Sequence, residues 1–122
     1  MKRLLALTVV VLALGGCTQN AASEARYDMA EFTISGPGQL SPVGQIEVTN
    51  SGEYPHTVVV SNADGAVIAA TGLVASGGST VLDVDLTTGR YQFTCRIVAE
   101  TADGTIVDHF ERGMSKTVEV SG

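Results

Sequence analysis

The stretch Tyr91-Gln-Phe-Thr-Cys-Arg-Ile97 places apolar side chains at every odd position and polar ones at every even position. A period of two belongs to a strand with one buried face, and it fixes which side chains enter the core. The same pattern recurs along the chain. Phe32 and Ile34 alternate with Glu31 and Thr33, Ile46 and Val48 with Gln45, Glu47 and Thr49, and Leu82, Val84 and Leu86 with Asp83 and Asp85. His56 to Val60 is a Val-rich run, and Val118 and Val120 close the chain. Between these runs lie breakers such as Ser35-Gly-Pro-Gly-Gln39 and Ser61-Asn-Ala-Asp-Gly65. From Tyr27 onward no helical period lasts beyond a turn. About seven or eight short strands at turn spacings of about ten residues predict an all-β, Greek-key β-sandwich.

The N-terminal residues follow a different rule. Leu4 to Leu14 carry no charge and follow Lys2 and Arg3. Eleven residues are too few for a spanning helix, which needs about 20, but they suit the apolar region of a secretory signal. The segment ends Leu14-Gly15-Gly16-Cys17, which resembles the lipobox of bacterial lipoproteins. That resemblance implies cleavage after residue 16, lipidation of Cys17, and two or more acyl chains, since one alone anchors only marginally. Residues 1–16 are then signal, 17–26 the lipidated cysteine and a small, polar tether, and 27–122 the folded domain. Nine tether residues, Thr18 to Arg26, reach at most about 30 Å, so the domain is expected to work close to the outer face of a membrane. Loss of Lys2 and Arg3 takes the formal charge from −6 to −8. That balance argues against nucleic acid, whose phosphates require clustered Lys and Arg.

The chain has two cysteines. If Cys17 carries lipid, Cys95 has no disulfide partner, and its strand turns it inward with Tyr91 and Phe93. A buried free thiol is either a small hydrophobe or a metal thiolate. The domain's two histidines, His56 and His109, and Met114 supply the remaining soft donors. A thiolate, two imidazoles and a distant thioether are the donor set of blue copper electron-transfer sites.

At this point the sequence resembles a family. Asn50-Ser-Gly-Glu-Tyr-Pro-His-Thr-Val-Val-Val60 is similar to the first copper-ligand segment of cupredoxins such as plastocyanin. Gly89-Arg-Tyr-Gln-Phe-Thr-Cys95 resembles their cysteine strand, and His109-Phe-Glu-Arg-Gly-Met114 their final step into the last strand. The resemblance covers Ile46 to Val120. It implies one type 1-like copper ion held by His56, Cys95 and His109, with Met114 as the long axial ligand. It also implies that Thr57 supports the cysteine loop by a hydrogen bond. The protein would be a monomeric electron carrier serving a redox partner protein, and not an enzyme.

One departure stands out. Cupredoxins place only a few residues between cysteine and second histidine, whereas thirteen intervene here, Arg96 to Asp108. The insert reads as a hairpin around Asp103-Gly104. A three-residue loop, Ala102-Asp-Gly104, sets Ile97 opposite His109 and puts His109 on the face of Cys95. A two-residue turn sets Val98 opposite His109 and sends the imidazole to the other face. Besides the electron carrier, two further readings fit the chain: a copper carrier without redox turnover, and a metal-free adhesion or assembly module on the same scaffold.

Overall fold

The computed structural model describes residues 25–122, and the expected signal, Cys17 and most of the tether lie outside them. Among the described residues there are eleven strands: β1 (Arg26–Ala30), β2 (Thr33–Ser35), β3 (Gln39–Leu40), β4 (Val43–Asn50), β5 (Val59–Ser61), β6 (Val67–Ala70), β7 (Ser79–Leu86), β8 (Gly89–Thr94), β9 (Val98–Glu100), β10 (Ile106–Asp108) and β11 (Ser115–Val120). No described helix is long and apolar enough to cross a membrane. The count exceeds the seven or eight expected because β3 and β6 escape the alternation rule, the insert forms a separate pair, and β1 adds a further alternating strand with Tyr27 and Met29 buried. Ala25 is already buried and Arg26 opens β1, so the sheet takes up two residues that the sequence assigned to the tether.

Nine strands form two sheets, in the orders β2-β1-β4-β7 and β3-β11-β8-β5-β6. The chain crosses between them at β2–β3, β3–β4, β4–β5, β6–β7 and β7–β8, the connectivity of a Greek-key sandwich. Alternation accounts for the packing. Ile46 and Val48 of β4, Val84 and Leu86 of β7, Tyr91 and Phe93 of β8, and Val118 and Val120 of β11 are all buried, while their neighbours, apart from the buried Thr94, face outward. The rings of Tyr27 and Phe93 meet edge to face across the core at 4.7 Å between centroids. Phe93 is fully buried, and truncating such a ring to alanine costs about 3–5 kcal/mol.

The insert is the hairpin β9–β10, with Glu100 opposite Ile106, Ala99 opposite Val107 and Val98 opposite Asp108. Thr101 N donates to Thr105 O at 2.8 Å, and Gly104 N donates to Thr101 O at 2.9 Å. Gly104 has φ +83°, a left-handed conformation in which a side chain is disfavoured. The three-residue loop is therefore the one present, and His109 N donates to Ile97 O at 2.9 Å. Pairing stops there. Cys95 does not face Glu111, because residues 109–113 form a turn and Cys95 N instead donates to Met114 O.

Asp103 closes the loop. Its Oδ1 accepts from Thr101 Oγ1 and from Thr105 N. The Thr101 hydroxyl, followed by the hydroxyl and amide of Thr105, lowers the carboxyl pKa to about 2. A depressed carboxyl contributes stability that is complete above its unfolded value, about 3.9, and is lost as pH falls through the folded one. Protection of the Thr105 amide from hydrogen exchange is therefore expected to hold above about pH 4 and to decline toward pH 2. Asp103→Ala should lower that protection already at neutral pH and remove most of the acid dependence.

Candidate metal centre

Three separate segments deliver the side chains singled out in the sequence. His56 lies between β4 and β5, where it forms a bridge with Val74: His56 N donates to Val74 O at 3.1 Å and Val74 N to His56 O at 2.8 Å. The preceding loop is organised by Asn50, which is buried. Its Nδ2 donates to Tyr54 O at 2.8 Å and to Val74 O at 2.9 Å, and its Oδ1 accepts from Gly52 N at 2.9 Å. One amide thus ties together the loop, the end of β4 and the segment that pairs with His56.

Cys95 follows β8 directly and is fully buried, as the alternation requires. His109 begins the turn after β10. Asp108, beside it, accepts from Glu111 N through Oδ1 at 3.2 Å and from Arg112 N through its carbonyl at 3.1 Å. Asp108 therefore shapes the turn and does not bond the imidazole. Met114 N donates to His109 O at 3.1 Å as Met114 O accepts from Cys95 N at 3.1 Å. Met114 is fully buried at the mouth of β11.

The structure brings His56, Cys95 and His109 together. Their donor atoms lie within 4.8 Å of one another. His56 Nδ1 is 3.1 Å from His109 Nδ1, and Cys95 Sγ is 3.9 Å from His56 Nδ1 and 3.5 Å from His109 Nδ1. The triangle these distances define has its equidistant point about 2 Å from each donor, against metal–nitrogen bonds of about 2.0–2.1 Å and metal–sulfur bonds of about 2.3 Å. Two imidazoles and a thiol with that spacing fit a trigonal His2Cys metal site, the arrangement that copper takes with a weak axial ligand. Thr57 Oγ1 stands 3.9 Å from Cys95 Sγ, at the outer limit of a sulfur hydrogen bond.

The two imidazoles differ in their surroundings. His56 is fully buried, and His109 keeps 2% of its surface. No buried side-chain nitrogen or oxygen among the described residues lacks a partner, so His109 Nε2, which has none among those residues, is the ring atom that meets solvent. Phe32 packs edge-on against this ring at 5.4 Å between centroids. Burial is the main cause that holds the His109 pKa below the ordinary histidine value, followed by the nearby His56. A cavity of about 280 Å³ adjoins His109, lined by Phe32, Tyr54, Arg112 and the inner face of the hairpin.

Sequence reasoning missed Glu31 and Phe32. Glu31 Oε1 lies 3.1 Å from His56 Nε2 and also accepts from Glu53 N and Tyr54 N, each at 2.8 Å. The Tyr54 amide is the leading cause that lowers the Glu31 pKa to about 2, with the Glu53 amide and His56 adding to it. The alternation of residues 31–34 suggests a strand with Glu31 outward, whereas Glu31 and Phe32 form the turn between β1 and β2. Only a contact between positions 25 residues apart identifies the carboxylate, and no local pattern encodes it.

No family model matches the chain, and no curated protein matches it. Solved structures do. An azurin (Az-iso2) from the obligate methylotroph Methylomonas sp. strain J superposes with a TM-score of 0.57 at 14% identity, covering 80% of this chain and 96% of the azurin. The fold is that of the cupredoxins. A purple cupredoxin from Nitrosopumilus maritimus is also similar, with a TM-score of 0.44 at 17% identity over 81% of this chain and 80% of its own.

Asn50 makes a test of how the loop holds His56. Asn50→Ala leaves Tyr54 O and Gly52 N without their side-chain partner and takes one of two donors from Val74 O, which keeps His56 N. A buried group left unpaired costs about 1–3 kcal/mol. Urea unfolding is expected to show a loss of at least that size for Asn50→Ala. Asn50→Asp keeps the acceptor for Gly52 N but sets a buried carboxylate oxygen against the carbonyls of Tyr54 and Val74, and should lose at least as much stability at neutral pH.

Proposed function

We propose that the protein is an exported, lipid-anchored cupredoxin that binds one copper ion through His56, Cys95, His109 and Met114 and transfers single electrons to a partner protein. The observation that carries this reading is the convergence of His56 Nδ1, Cys95 Sγ and His109 Nδ1 around a point about 2 Å from each, a metal–ligand bond length. The three groups come from separate segments, and core packing alone does not require an imidazole–imidazole–thiol cluster inside an apolar sandwich.

A copper ion held there would supply the Cu(II)/Cu(I) couple, gaining one electron from a donor protein and giving it to an acceptor. The side chains define what else the site can do. His56 and His109 would hold the ion through Nδ1 and Cys95 through a thiolate after losing its proton, and Met114 would supply the weak fourth donor that tunes potential in such sites. With no position left for substrate, the donor set suits electron transfer and does not suit bond-making chemistry. Thr57 Oγ1, 3.9 Å from Cys95 Sγ, would support the thiolate. Of the four donors only His109 keeps any exposed surface, and the partner would meet the protein there, near exposed Tyr54.

Titration of the purified protein with Cu(II) tests this reading. An intense thiolate charge-transfer band is expected at one equivalent of copper, absent in Cys95→Ser and lost or strongly altered in His109→Ala. Tight Cu(I) binding without the band would point to a carrier without redox turnover, and failure to bind either ion to a metal-free module.

The N-terminal part of the proposal rests on Leu14-Gly15-Gly16-Cys17 behind an uncharged run. It holds the domain at the extracytoplasmic face of a membrane as a monomer on a short tether, with no role for nucleic acid. Mass spectrometry of the protein from a lipoprotein-processing bacterium is expected to find Cys17 as an acylated N-terminus. Cys17→Ser should carry no acyl chain and should leave the membrane fraction.

A further inference from the structure

We propose that Glu31 is a positioning residue for His56. Its Oε1 accepts the Nε2–H of the buried ring and thereby leaves the Nδ1 lone pair facing Cys95 and His109. The contact is built from several independent elements. The same oxygen is held by the amides of Glu53 and Tyr54 at 2.8 Å, so the carboxylate has one place to sit. Gly52 makes that place possible. A Cβ at position 52 would lie 2.5 Å from Oε1 and 2.8 Å from Oε2, closer than van der Waals contact permits. Asn50 in turn fixes Gly52 by accepting from its amide.

The chemistry follows from the tautomer. A neutral imidazole carries one proton, and the nitrogen that lacks it is the one able to bind a metal. A carboxylate at Nε2 assigns the proton to that nitrogen. His56 Nδ1 is then an acceptor, and the proton in the 3.1 Å contact between the two Nδ1 atoms belongs to His109. The two rings have different roles in the metal-free protein. His56 is a preset donor, held from behind. His109 carries its proton inward at Nδ1, and freeing that nitrogen means losing this proton while the solvent-facing Nε2 takes up another. A carboxylate behind a ligating histidine also raises the donor strength of the ring, which favours the more highly charged metal. The tautomer assignment stands on the geometry alone, and the statement about metal preference rests on the copper reading above.

The experiment has a metal-free arm and a copper arm. In the full chain without metal at neutral pH, long-range ¹⁵N–¹H correlation spectra are expected to show His56 only as the Nε2–H tautomer and His109 as Nδ1–H. Glu31→Gln keeps an acceptor oxygen in place and should preserve both. Glu31→Ala and Gly52→Ala, which remove or displace the carboxylate, should give His56 as a mixture of tautomers. A wild-type His56 that is Nδ1–H or mixed overturns the proposal whether or not copper binds, so failure of the metal reading is separable. In the copper arm, Glu31→Gln is expected to retain the charge-transfer band but to prefer Cu(II) over Cu(I) about tenfold less than wild type, a rise in potential of about 59 mV for one electron. Glu31→Ala should bind copper about 10–100-fold more weakly. Unchanged potential in Glu31→Gln in a protein with a wild-type band would overturn the role assigned to the charge.

Discussion

Three main-chain hydrogen bonds tie the chain into one knot: His109 N to Ile97 O, Met114 N to His109 O, and Cys95 N to Met114 O. They decide whether the cysteine strand, the inserted hairpin and the last strand meet. Thirteen residues separate Cys95 from His109, and a flexible loop of that length would leave the second histidine free to wander. The excursion is a self-paired hairpin instead, so its entropy is lost locally, to the Asp103 loop and three ladder pairs. What remains to be closed is short, and loop-closure entropy depends on that remaining length. The turn at 109–113 then reverses the chain within one step and feeds β11 beside β8. The insertion lengthens the chain between two side chains without lengthening the distance between them.

Polar burial is the second constraint. Asn50, His56, Thr94 and His109 are the buried polar residues of the described domain, and each would be costly in an apolar sandwich without a partner. Asn50, His56 and His109 are satisfied in series. Asn50 serves the loop, the loop amides hold Glu31, Glu31 holds the outer nitrogen of His56, and the inner nitrogens and the thiol face one another. Networks of this kind rigidify when complete, and no buried side-chain nitrogen or oxygen among the described residues is left over. The donors are thus in position before any ion enters, which limits the rearrangement that a change of oxidation state would demand.

Much of this was legible in the sequence, for a definite reason. A period of two reports facing directly, so the inward turn of Cys95 and the buried faces of β4, β7 and β8 follow from Ile46, Val48, Val84, Leu86, Tyr91 and Phe93. The hairpin was legible as a hairpin, since Asp103-Gly104 is a strong turn signal. Its register was not, because two turn types differ by one residue and only the fold of the rest selects between them. Neighbours in space but not in sequence were hidden. β1 lies parallel to β4, a pairing no local pattern announces, and that pairing carries the β1–β2 turn to the His56 loop. Glu31 reads as the outward residue of a strand until the sheet order places it behind a ring 25 positions away.

The hairpin also separates two properties that a short ligand loop would join. Its odd positions, Ala99, Thr101, Val107 and His109, face the cavity beside the second imidazole. Its even positions include Val98 and Ile106, each 59% exposed. Side chains of one parity therefore shape the approach to His109, and side chains of the other present an apolar surface outward. The donor triangle depends on neither set except through the pairing of Ile97 with His109. On the copper reading, substitutions along the outer face can change which partner docks while the donors and their spacing stay fixed. A cupredoxin whose second histidine sat on a tight loop could not alter one without disturbing the other. The insertion places the surface around His109 on a separate, locally folded element, and the core retains the donors.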